Sequence, residues 1–114
     1  MLLIETAVDR ITGILESDRP IALVPAENRD RATEIAVAAR DGGFGVSVIV
    51  DRSERLLVLV VGDQDRQADL RRFVRRFGAD IATDRHVEVV KVYSPASWFT
   101  GLAHSQGAYV GEHL

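Results

Sequence analysis

At 114 residues the chain has room for one domain and one core, and 46 % hydrophobic against 27 % charged residues is the balance of a folded chain, not a disordered one. No cysteine is present, which excludes disulfides, thiolate nucleophiles and cysteine-ligated zinc. A net charge of −3 excludes a global field drawing the protein to nucleic acid or an anionic membrane, so binding of that kind would need a local patch.

Ile4, Ala7, Val8, Ile11 and Leu15 fall at helical spacing and predict an amphipathic helix over residues 2–16. Ile21 to Val24 reads as a short strand, apolar on both faces. Beyond Pro25 to Asn28 a second helix carries Ala32, Ile35, Ala36 and Ala39 inward, and Asp41-Gly42-Gly43 stops it with Gly42 as the left-handed cap. Phe44 to Val50 and Arg55 to Val61 are the next two strands. The four residues between them, Asp51 to Glu54, are too few for a crossover, so the pair is an antiparallel hairpin. Leu70, Phe73, Val74 and Phe77 mark the third helix, capped by Gly78. A last strand runs from about His86 to Tyr93, with a bulge near Val89-Val90 where the alternation slips.

Helix aside, this is the βαββαβ order of a ferredoxin-like α+β fold: an N-terminal helix over 2–16, a core over 20–93, and a partly helical tail over 94–114, in one domain. In that plan the first and third strands are central and both crossover helices share one sheet face. The strands' second apolar face then needs a cover. The candidates are the N-terminal helix, the tail or another copy of the chain, and self-association is the favoured reading. The tail holds Trp98, Phe99, Leu102, Tyr109 and Val110, aromatic and aliphatic groups of the kind that anchor interfaces.

Two clusters could carry chemistry. Right-handed crossovers would place both strand-to-helix turns at one end of the sheet, gathering Glu27, Asn28 and Asp30 with Asp63, Gln64 and Asp65. Glu27, Asp30, Asp63 and Asp65 are thus candidate ligands for a hard cation, although helix capping accounts for the same residues and no metal or cofactor is expected. Arg71, Arg72, Arg75 and Arg76 lie opposite the apolar stripe of the third helix, a candidate phosphate or nucleic-acid face whose plainer account is a solvated helix surface. The strand Leu56 to Val61 has no aromatic on which a base could stack.

His86, His104 and His113 lack metal-ligand spacing, and Gly42-Gly43-Phe44-Gly45 leads into a strand where a phosphate-cradling loop leads into a helix. No catalytic constellation emerges. Residues 21–93, above all Val61-Gly62-Asp63-Gln64-Asp65-Arg66-Gln67-Ala68, resemble the SPOR domain, which implies binding of peptidoglycan glycan strands. The chain departs from that pattern in having no membrane anchor or signal sequence and no aromatic after the strand glycine. The expectation is therefore a non-enzymatic, cytoplasmic binding or regulatory module that forms homo-oligomers, with a protein partner possible at the tail. A phosphate or nucleic-acid binder and a small metal-assisted enzyme are the alternatives.

Overall fold

Strands apolar on both faces build a four-stranded sheet, and each of its two faces is covered from within the chain. The computed structural model describes residues 2–93, with side chains from residue 7 onward. Helix α1 (Leu2–Glu16) is followed by β1 (Ile21–Ala26), α2 (Arg29–Asp41), β2 (Gly45–Asp51), β3 (Leu56–Val61), a single 3-10 turn (Gln64–Arg66), α3 (Gln67–Arg75) and β4 (Val89–Tyr93). Among the described residues no helix is long and apolar enough to cross a membrane.

The strands are all antiparallel to their neighbours, in the order β1-β3-β2-β4. The α+β class is as expected, but the strand positions are not. β1 lies at an edge instead of the centre, and β4 joins the outer side of β2. Pro25 sits inside β1, opposite Leu57. A residue without an N–H is at home on an edge strand, where the missing donor interrupts no ladder.

One face carries α2 and α3. Ala32, Ile35, Ala36 and Ala39 of α2 and Leu70, Phe73 and Val74 of α3 close over Ala22, Val24, Val48, Val58 and Val60. The small alanine stripe lets α2 approach β2 and β3 closely, while α3 lies against β1. Gly78, at φ +78°, ends this layer at the expected position.

The second face is covered from within the chain. Ile11 and Leu15 of α1 pack on Ile21, Ile49, Leu57, Leu59 and Val61. The segment after α3 completes the layer. Its Ala82 N–H donates to Ile21 O at 2.7 Å along the β1 edge. Ala82 and Val87 then pack into the second-face core. Arg52 N–H donates to Glu88 O at 2.9 Å on the far side, beside β2. The chain thus crosses the sheet beside the end of α1 and delivers β4 to the β2 edge. Arg85 fastens the crossing, its guanidinium donating to the carbonyls of Ser17 at 2.7 Å and Arg19 at 2.5 Å just beyond α1. The expectation that another copy covers this face is corrected: α1, with Ala82 and Val87 of the segment after α3, does so.

The hairpin is closed by Asp51, whose side chain is only 6 % exposed. Its Oδ1 accepts from the N–H groups of Ser53 and Arg55, both at 2.9 Å, and its Oδ2 from Arg55 Nε at 2.8 Å. The Arg55 amide above all, with the guanidinium and the Ser53 amide helping, holds the Asp51 carboxyl below its ordinary 3.8 against the opposing effect of burial. A depressed folded-state pKa contributes stability above the unfolded value and loses it as pH falls through the folded one. The Tm gap between the wild type and Asp51→Asn should therefore stay constant at neutral pH and narrow once pH drops below 3.8. A gap that is flat down to the acid transition would refute this role.

β4 carries the expected bulge. Val50 pairs with Lys91 and Asp51 with Val89, so Val90 is the extra residue. Val90 is also 50 % exposed. The left-handed residue after α2 is Gly43, at φ +84°, and not Gly42, which caps the helix by donating its N–H to Ala38 O and Ala39 O.

Candidate anion-binding site

Arg66 ends the 3-10 turn, and Asp69, Arg72, Phe73 and Arg76 follow it at helical spacing along one side of α3. That side faces the loop between α2 and β2, from which Phe44 projects. The rings of Phe44 and Phe73 lie 5.5 Å apart at 42°, and those of Phe73 and Phe77 lie 5.3 Å apart at 55°, a tilted row of three phenyls. Arginines roof the row. The Arg66 guanidinium sits 4.2 Å from the Phe44 centroid, Arg76 lies 5.4 Å from Phe73, and Arg31 of α2 lies 5.2 Å from Phe77. Cation–π contact attracts each guanidinium to its ring and keeps positive charge on this face.

The roof leaves a shallow cleft of about 270 Å³, floored by Phe44 and Phe73 and walled by Arg66, Arg72, Arg76 and Asp69. Arg66 is held in place from two directions, by Nη1 donating to Gly43 O at 3.3 Å and Nε to Asp69 Oδ2 at 3.5 Å. The positive φ of Gly43 favours a glycine here, and a Cβ would in addition come within 3.0 Å of Arg66 Nη1 and displace that guanidinium. Arg72 donates to the other oxygen of Asp69. Three guanidiniums therefore face one carboxylate in a chain whose overall charge is negative.

The expected patch of four arginines is divided. Arg72 and Arg76 belong to the cleft. Arg71 and Arg75 turn to the other side of α3, each 3.8 Å from an oxygen of Asp80. Exposed pairs of this kind contribute little stability but do occupy their cations. Arg66, Arg31 and Phe44 join the face without having been singled out in the sequence.

The carboxylates Glu27, Asp30, Asp63 and Asp65 do not assemble. β1 and β3 are antiparallel, with Ile21 opposite Val61 and Ala26 opposite Leu56. Residue 27 thus leaves one end of the sheet and residue 63 the other, a strand length of roughly 17–20 Å apart. Asn28 caps α2 by accepting from Arg31 N–H at 2.8 Å, and Asp63 pairs with Arg19 at 3.6 Å. Among the described residues no group of three or more His, Asp or Glu side chains could hold a metal ion.

A second, larger cleft of about 600 Å³ lies between the end of α1 and residues 85–88, lined by Thr12, Leu15, Glu16 and His86 among others. Two of its charged walls are engaged structurally: Arg85 on the carbonyls of Ser17 and Arg19 beyond α1, and Glu88 with Arg52 at 2.9 Å. The tail residues Trp98, Phe99, Leu102, Tyr109 and Val110, and the partly helical character expected of the tail, lie outside the described residues. Comparison with known proteins finds no matching family model, no similar curated protein and no similar solved structure.

Proposed function

We propose that this chain is a binding module that takes phosphate-bearing ligands on the Arg66–Arg72–Arg76 face. The observation that carries the reading is the cleft itself, in which three arginines converge around a phenyl floor. Guanidiniums match the geometry of phosphate oxygens, and hydrogen bonds to charged groups are the strong ones. The absence of cysteine suits a reducing, cytoplasmic setting.

Calorimetric titration with tripolyphosphate tests it. Heat of binding at low salt, weakening as NaCl is added, is the expected result. The double variant Arg72→Glu, Arg76→Glu should bind about tenfold more weakly or worse, from two lost charge-assisted contacts. The pair Arg71→Glu, Arg75→Glu, on the other side of α3, should bind nearly as the wild type does. Equal losses in both pairs would point to diffuse charge and sink the cleft reading.

A second reading, self-association through the tail, is favoured by β4. This edge strand carries the half-exposed Val90 and leads directly into the segment holding Trp98 and Phe99. Such an edge is a template for pairing with another chain. Light scattering on the full chain and on a version ending at Tyr93 separates the outcomes: a dimer that becomes monomeric on truncation supports the reading, and two monomers dismiss it.

A further inference from the structure

We propose that the ligand of the arginine face is a nucleotide, its base stacked on the outer plane of the Arg66 guanidinium and its phosphate held by Arg76 and Arg72. The proposal rests on the anion-binding reading and adds to it the chemistry of the rest of the ligand.

Arg66 is the deciding residue. Its guanidinium lies on the Phe44 ring at 4.2 Å, the closest of the cation–π contacts along this row. Two of its five N–H donors are engaged, one on Nη1 toward Gly43 O and that on Nε toward Asp69. With one plane on a phenyl ring and its edge tethered at two points, Arg66 has its other plane left for a flat ligand, and its side chain is 35 % exposed. A guanidinium plane is a platform for stacking bases, and one backed by an aromatic ring and tethered at its edge loses little freedom when a flat ligand settles on it.

Arg76 complements it. Among the described residues it forms no ion pair and only lies against Phe73 and Phe77, so its donors remain available to an anion. Arg72 is 72 % exposed and, among the described residues, pairs with Asp69, an exposed contact that a doubly charged phosphate can displace. Stacking plane and anion donors therefore border the same cleft. At about 270 Å³ it is at the small end for ligand sites, with room for a single nucleotide and none for a duplex. The base-stacking role that the aromatic-free β3 cannot play is taken here by an arginine on a phenylalanine. A free mononucleotide and one residue of a single strand present the same chemistry.

Fluorescence anisotropy with the full chain decides the matter, using a dye-labelled oligothymidylate and an abasic oligomer of equal length and charge, with thymidine monophosphate as competitor. The oligothymidylate should bind roughly tenfold tighter than the abasic strand, as expected for stacking of one base. Arg66→Lys keeps the charge but not the plane, and should bring the ratio of thymidylate to abasic affinity close to one, the readout being that ratio and not the affinity for either strand. Competition by the monophosphate at concentrations similar to those of the oligomer identifies a free nucleotide as the ligand; competition only by the oligomer identifies a strand. Equal binding of thymidylate and abasic strands, still dependent on Arg72 and Arg76, would overturn the nucleotide proposal and leave the anion-binding reading standing. No binding of either strand or of tripolyphosphate would overturn both.

Discussion

Ile11→Asp is expected to destabilise the protein by about 3–5 kcal/mol, the cost of a buried charge with no partner. Ile11 is fully buried at the centre of the layer formed by α1 on Ile21, Leu59 and Val61. An aspartate there has no cation within the cluster and must either lose its charge or lift α1 from the sheet. With domain stabilities of 5–15 kcal/mol, much of the population would lose this layer near physiological temperature. The signs are a lower urea midpoint together with binding of a hydrophobic dye by the uncovered face. A variant that kept wild-type stability would mean that α1 is dispensable as a cover. One that stayed folded as a discrete dimer would show that the same face can also accept a second copy.

Leu59→Ala should cost about 3 kcal/mol, in the middle of the range for truncating a buried leucine. Leu59 is fully buried on β3, one of the two central strands, between Leu23 on one neighbour and Ser47 on the other. Three heavy atoms are lost beneath α1, in a place the surrounding β-branched side chains cannot easily collapse to fill. Val90→Ala, on the exposed bulge of β4, should change stability by less than about 0.5 kcal/mol. Comparable losses at both positions would contradict the assigned layering.

These expectations bear on how much could be read from the amino-acid order. Helix α1, the hairpin, the apolar stripe of α3 and the bulge at Val90 are all legible, because each depends on neighbours a few residues away. The position of β1 is partly legible too. Pro25 falls within β1 and is itself an edge-strand signal, although the run Ile21 to Val24, apolar on both faces, argues for a central place. What reconciles them is residues 79–88, which pass the β1 edge without extending the sheet and contribute Ala82 and Val87 to the second face. That path has no local signature.

The failure of the carboxylate cluster has a different cause. A tight β2–β3 hairpin and a right-handed crossover from β1 to β2 together require β1 and β3 to run in opposite directions. Their following turns must then leave opposite ends of the sheet, so the separation of Glu27 from Asp63 follows from topology alone. Of the arginine face, helical spacing yields four positive positions but not their division by Asp80 and Asp69. Nor can it reveal Phe44, which a β-turn and the left-handed Gly43 bring beneath Arg66 from another part of the chain.

The fastening of Arg85 to the carbonyls of Ser17 and Arg19 joins the beginning of the described chain to its end. Helix α1 also borders β4 directly. Neither can leave without loosening the other, since each helps to close the same apolar layer. The two termini of the fold therefore behave as a clasp, one cooperative unit laid over a β1-α2-β2-β3-α3 body that has its own separate core. Tension or proteolysis applied at either terminus would be felt first on the face away from the arginine cleft, leaving the α2–α3 side shielded by the sheet between them.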